Sequence, residues 1–164
     1  MTKEADFDLL AAQVRALTEE GGHWLPVLAN ASALIMDALP QLNWAGFYLA
    51  SQGEGNRRSL VLGPFQGKVA CTRIAWGRGV CGTAAERDEP QLVADVHAFP
   101  GHIACDSASA SEVVLPLHDG SGSVVGVLDV DSPVQGRFDE SDLAGLGLVA
   151  NVIEGCCGFD GPPL

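Results

Sequence analysis

Residues 111–131 read Ser-Glu-Val-Val-Leu-Pro-Leu-His-Asp-Gly-Ser-Gly-Ser-Val-Val-Gly-Val-Leu-Asp-Val-Asp, and this stretch decides the fold class. Two apolar runs, Ser111–Leu117 and Ser123–Asp131, flank the turn-forming His118-Asp-Gly-Ser-Gly122, the pattern of an antiparallel hairpin. In the second run, strand period places Val125, Val127, Asp129 and Asp131 on one face and Leu128 and Val130 on the other. Two carboxylates therefore stand where a central strand wants hydrophobes. A buried carboxylate is costly unless it is paired, hydrogen-bonded or protonated. A plainer reading makes Asp131 the start of the turn Asp131-Ser-Pro133, and it suits Asp129 less well. Glu112 opens the first run, and a hairpin closed at 118–122 brings it close to Asp129 or Asp131. Three converging carboxylates repel and raise at least one pKa. A carboxyl kept protonated at neutral pH serves as an acid; a carboxylate cluster otherwise binds an ammonium group. The bland alternative for Glu112 is a solvated strand edge.

Working outward, the same short-strand pattern recurs upstream. Trp44–Ala50, Ser59–Leu62, Ala70–Ile74 and Gln91–Ala94 read as strands, the first two joined by the turn Gly53-Glu-Gly-Asn56. Residues 79–87 read as a short helix after Gly77-Arg-Gly79. Residues 6–20 and 25–39 carry apolar positions at helical spacing, the first stopped by Gly21-Gly22, the second with Pro26 in its first turn and Pro40 at its end. A last helix is expected at 139–155, with Asp139 as N-cap and Phe138 and Leu143 placed as a hydrophobic staple. Short turns between strands imply an antiparallel sheet with the terminal helices on one face, an α+β domain. With no repeat or linker, residues 1–164 read as one domain, 158–164 being a flexible tail. Residues 95–110, Asp-Val-His-Ala-Phe-Pro-Gly-His-Ile-Ala-Cys-Asp-Ser-Ala-Ser-Ala, form a long irregular loop of the kind that tends to be functional.

Composition narrows the partners. The formal net charge is −12, from 9 basic and 21 acidic residues, and no basic cluster exceeds Arg57-Arg58. Nucleic acids and anionic membranes require a basic surface, so neither is an expected partner. No apolar run reaches the roughly 18 residues of a membrane span, and Met-Thr-Lys-Glu-Ala-Asp does not resemble a secretory signal. A soluble cytoplasmic protein is expected, with its five cysteines as thiols.

Those cysteines are Cys71, Cys81, Cys105, Cys156 and Cys157. Cys105 lies in the long loop near His97 and His102, and Cys71 and Cys81 flank another glycine-rich turn, so the three can meet in space. Most cytosolic cysteines are inert packing. The series lacks the C-x2-4-C spacing of structural zinc, and His102-x2-Cys105 is a weak hint, so no metal is expected. Adjacent Cys156 and Cys157 read as one packing residue and one surface thiol. No G-x-S-x-G elbow or phosphate loop is present. Trp44 and Tyr48 share a strand face, as core or as the aromatic wall of a pocket.

Taken together, Asn43–Tyr48, Leu62–Lys68 with Ala70-Cys71, Gly77–Thr83, the loop motif Asp95–Ser107 and Gly126–Pro133 resemble the free methionine-(R)-sulfoxide reductases. The resemblance implies a GAF domain: a central antiparallel sheet of about six strands with helices on both sides. It implies a cytoplasmic homodimer without cofactor, recycled by thioredoxin. It assigns Cys105 as nucleophile, Cys71 as the resolving cysteine and Cys81 as a third, exchange-capable cysteine. Glu112, Asp129 and Asp131 become the acids around the sulfoxide oxygen, and Trp44 and Tyr48 the aromatic side of the substrate pocket. The rival readings are a non-enzymatic GAF sensor of a small ligand and a thiol redox sensor.

Overall fold

Two helices, α1 (Phe7–Thr18) and α2 (Trp24–Ala38), open the chain in the computed structural model, which describes residues 5–19, 21–102 and 108–159. Asp6 caps α1, its side chain accepting from Leu9 N at 2.9 Å. Leu39, the residue before Pro40, turns extended and ends α2. The strands follow: β1 (Trp44–Gln52), β2 (Arg58–Gly67) and β3 (Arg73–Ala75). Helix α3 (Gly79–Arg87) and β4 (Gln91–Val93) come next, then the hairpin of β5 (Ser111–His118) and β6 (Val124–Ser132), and finally α4 (Glu140–Cys156). The strands form one six-stranded sheet in the order β3-β2-β1-β6-β5-β4, with every pairing antiparallel.

Strand alternation sorts the core into two layers. Phe47, Leu115, Leu128 and Val130 face one side, packed against Leu10, Ile35 and Leu146 of α1, α2 and α4. Trp44, Tyr48, Val114 and Val127 face the other, where α3 brings Val80, Cys81 and Ala84. Helices therefore cover both faces, with the three long ones together. Asp139 caps α4 as expected: its side chain accepts from Ser141 N and Asp142 N, and Asp142 returns a bond to the Asp139 N–H. Phe159, just past α4, packs on Trp24 with ring centroids 6.1 Å apart; residues 160–164 lie outside the described residues.

Two strand limits differ from expectation. Strand β2 runs on to Gly67 rather than stopping at Leu62, because it pairs with β1 along its whole length. Pro64, which cannot donate to a ladder, is accommodated where the β1–β2 register shifts between Gly46 and Tyr48. Ala70–Ile74 is not a strand as a whole. Only Arg73 onward pairs with β2, while Thr72 O accepts from Leu62 N at 3.1 Å and closes the loop.

One polar latch joins β5, α3 and α4. At the end of β5, the His118 ring contacts Asp88 Oδ1 through Nε2 (2.6 Å) and Glu154 Oε1 through Nδ1 (2.7 Å). Asp88 is the left-handed cap of α3, and Glu154 sits in the last turn of α4. Burial alone lowers the His118 pKa, but its hydrogen bonds to Asp88 and Glu154 outweigh that and raise it. A raised folded pKa means the stabilisation is complete below the unfolded value of about 6.5 and fades as pH climbs through the folded one. For a part-exposed pair this is worth about 1 kcal/mol, roughly 2–4 °C in Tm. His118→Gln is expected to lower Tm by that amount at about pH 6 and by little at about pH 9, as read by thermal denaturation followed by circular dichroism.

Candidate active site

The β5–β6 register sets the centre of the site. Glu112 lies directly opposite Asp131, and Asp129 lies opposite Val114, one diagonal step away. Asp129 and Asp131 thus share the α3-side face of β6, as the strand period requires. Glu112 is 7% exposed and Asp129 5%, so both carboxyls are buried. Above them sits the Cys81 thiol, on the first turn of α3 and 4% exposed. It donates to Glu112 Oε1 at 3.8 Å.

Two glycines let α3 approach this closely. Gly77 turns the chain at φ +78°, a conformation only glycine adopts readily. A Cβ at Gly82 would stand 2.6 Å from Ala75 O, so only glycine allows this turn of α3 to rest against β3 and present Cys81 to the acids.

Burial and mutual repulsion set the protonation of the cluster. Burial, then the charges of Asp129 and Asp131, hold the Glu112 carboxyl well above the usual range. Burial raises Asp129 to about 6, with hydrogen bonds from Cys81 and Glu112 pulling the other way. Burial, then Asp129 and Glu112, push up the Cys81 thiol. At neutral pH the cluster therefore holds protons on Cys81 and Glu112, while Asp129 is mostly ionised. Asp129 Oδ1 has no hydrogen-bond partner among the described residues despite its burial. A buried acceptor without a donor is an atom to which a ligand group can bind.

An aromatic wall closes the other side. Trp44 stacks on Tyr48 at 5.9 Å and on Phe65 at 5.2 Å between centroids. Both polar tips are used: Trp44 Nε1 donates to Lys68 O (3.2 Å) and the Tyr48 hydroxyl to Cys71 O (2.9 Å). Burial, before the nearby carboxylates, raises the Tyr48 pKa, which keeps this hydroxyl a donor. The wall therefore also anchors the 68–71 backbone and fixes where Cys71 sits. Cys71 is half-buried and disulfide-bonded rather than the thiol expected of it, whereas Cys81, Cys156 and Cys157 are free. Cys81 belongs to the apolar cluster on the α3 side of the sheet, and Cys71 packs against that cluster. Cys156 is exposed and Cys157 buried, matching one surface thiol and one packing residue. Cys105 lies outside the described residues.

The pocket has lining residues that sequence reasoning did not single out. Arg78, Ile74 and Ser109 line it, and His102, noted only as a sequence neighbour of Cys105, lines it too. Arg78 is the one Lys or Arg side chain among its described lining residues, and its place between two glycines at a helix start was the available signal. Arg78 is also the N-cap of α3 and makes no side-chain cap, so the first N–H groups of α3 are left to a ligand or to water. Ser109 is reached by Asn43, whose Nδ2 donates to its Oγ at 3.0 Å. Cys81, Glu112 and Asp129 also offer one sulfur and two oxygen donors, all within 4.8 Å of one another. A spacing test for zinc cannot see this set, because it spans a helix and two strands.

Comparison with known proteins agrees with this architecture. The GAF domain family model matches residues 28–154. The Escherichia coli protein named free methionine-R-sulfoxide reductase is 51% identical over 146 residues, spanning 89% of this chain and 85% of that one. The structure of the reduced form of the fRMsr of Staphylococcus aureus superposes with a TM-score of 0.86 at 45% identity, covering 94% of this chain and 98% of that one. That of the Neisseria meningitidis free methionine-R-sulfoxide reductase in complex with its substrate gives a TM-score of 0.83 at 42% identity, covering 91% and 86%. With the six-stranded sheet, helices on both faces and identity of this extent, the chain belongs to the GAF-domain family of free methionine-(R)-sulfoxide reductases.

Proposed function

We propose that this chain reduces free L-methionine-(R)-sulfoxide to L-methionine, with Cys105 as nucleophile, Cys71 as resolving thiol and a thioredoxin-type dithiol as reductant. The observation that carries the reading is the buried Glu112–Asp129 pair facing the Trp44–Tyr48 wall. A thiol sensor or a passive ligand sensor has no use for a carboxyl kept protonated at neutral pH; a sulfoxide reductase does.

The Cys105 thiolate attacks the sulfoxide sulfur, and the cluster delivers a proton to the sulfoxide oxygen, held initially on Glu112. Oxygen passes to the cysteine, leaving methionine and a Cys105 sulfenic acid. The Cys71 thiol attacks that sulfenic acid, forming the disulfide and releasing water. The external dithiol then reduces the disulfide by exchange. Trp44 and Tyr48 cradle the thioether methyl. Arg78 and the uncapped start of α3 suit the substrate carboxylate. The acidic wall, through Asp129 and Asp131, suits the ammonium. The protein acts in the cytoplasm as a homodimer of single-domain chains.

The test is NADPH consumption in a coupled thioredoxin and thioredoxin reductase system. Turnover is expected with the free R epimer, and none with the S epimer or with a sulfoxide inside a peptide. Equal rates on the peptide would remove the restriction to the free amino acid; no turnover on any sulfoxide would remove the enzyme.

A further inference from the structure

Cys81 is a buried thiol that the reaction above does not consume. We propose that Cys81, Glu112 and Asp129 form an inhibitory site for one thiophilic divalent cation, Zn²⁺ by its chemistry, in the substrate-free pocket. The ligand set is one sulfur and two carboxylate oxygens, all buried and all within 4.8 Å of one another. Tetrahedral zinc with bonds of about 2.3 Å to sulfur and 2.1 Å to oxygen separates a sulfur and an oxygen ligand by roughly 3.6 Å. Cys81 Sγ and Glu112 Oε1 are already 3.8 Å apart. The other two separations are no more than 4.8 Å, within roughly 1.5 Å of the tetrahedral spacing.

A second observation points to a ligand at this place. Asp129 Oδ1 is buried and has no hydrogen-bond partner among the described residues. The open Oδ1 of an ionised Asp129 takes a cationic group, the substrate ammonium when the pocket is filled and a metal ion when it is not. Sulfur in the set selects Zn²⁺ or Cd²⁺ over Mg²⁺ and Ca²⁺, which take oxygen ligands. Binding releases the Cys81 thiol proton and the Glu112 carboxyl proton to solvent, since both groups ligate as anions. Zinc and sulfoxide exclude one another because both need Glu112 and Asp129; this competition, unlike the binding itself, rests on the proposed function.

The oxidised protein isolates the site, because Cys71 is then held in its disulfide while Cys81 stays free. Titrating it with Cd²⁺ alone, in a Cys156→Ser background that removes the exposed thiol, should give one ion per chain and an ultraviolet cadmium–thiolate charge-transfer band. Cys81→Ser should abolish the band, and Asp129→Asn should raise the Kd about 10–100-fold or more. A band that survives Cys81→Ser, or a protein that takes up no Cd²⁺, overturns the proposal. Unsubstituted Cys81 protein supplies a check that needs no variant at the site: free methionine-(R)-sulfoxide should raise the apparent Kd for Cd²⁺. If the sulfoxide binds by itself yet does not compete, the metal lies elsewhere and the proposal falls. If the sulfoxide binds neither this oxidised protein nor the reduced one, the proposed function fails, and the metal site is decided by the Cys81→Ser result.

Discussion

Cys105→Ser is expected to abolish methionine formation altogether, even in a single turnover with no reductant. A serine hydroxyl is almost wholly un-ionised at neutral pH and is a poor nucleophile toward sulfur. Cys71→Ser should behave differently. It should release up to about one methionine per chain without reductant and then stop as a sulfenic acid that a dimedone-type reagent captures. Its thioredoxin-dependent turnover should collapse, because no disulfide with Cys105 forms for the dithiol to reduce. Methionine quantified by chromatography and the adduct seen by mass spectrometry read both steps. The structural contribution to this prediction is the anchoring of Cys71 by the Tyr48 hydroxyl, 2.9 Å from its carbonyl oxygen. A methionine burst from Cys105→Ser, with none from Cys71→Ser, would exchange the two roles.

Glu112→Gln is expected to slow single-turnover methionine formation about 10²–10⁴-fold, the usual cost of losing one acid catalyst, and Asp129→Asn is expected to slow it as well, by removing the charge that helps hold the Glu112 proton and meets the substrate ammonium. The same substitutions should stabilise the fold at alkaline pH. Asp129 titrates at about 6 in the folded protein, above its unfolded value of about 3.9, because burial disfavours its charge. Stability is then complete below about pH 4 and is lost as pH rises through about 6. An amide takes no charge and loses nothing there. The Tm of Asp129→Asn should therefore exceed that of the parent at about pH 8, and the advantage should shrink toward pH 4. A slower but more heat-stable variant separates a catalytic loss from a folding defect. Unchanged single-turnover rates in both variants would end the acid role of the cluster.

Much of this architecture is legible in local pattern. Strand period in Val124–Ser132 placed Asp129 and Asp131 on one face, and the glycine-rich turn at 118–122 set the hairpin that brings Glu112 to them. The helix start at Gly79 and the cap at Asp139 followed from turn and capping chemistry. Where the pattern was weak, limits slipped. The strand read as Ser59–Leu62 runs on past Pro64 through a bulge to Gly67, and Ala70–Thr72 looked extended but serves as the loop that carries Cys71. In both places a neighbouring strand's hydrogen bonds, absent from any local window, decided the outcome.

By itself the sequence determined the periodicities, the turns and the set of reactive side chains, because those depend on residues close together in the chain. Only the tertiary structure decided which of them touch. It brought the Cys81 thiol to Glu112, 31 residues away, and the Tyr48 hydroxyl to the Cys71 carbonyl. It joined His118 to both Asp88 and Glu154, and left Asp129 Oδ1 buried without a donor. These contacts depend on strand register and on how deeply α3 sinks onto the sheet. Both are settled when distant elements pack, and the same packing depth, by removing water, converts ordinary carboxyls into proton-holding ones.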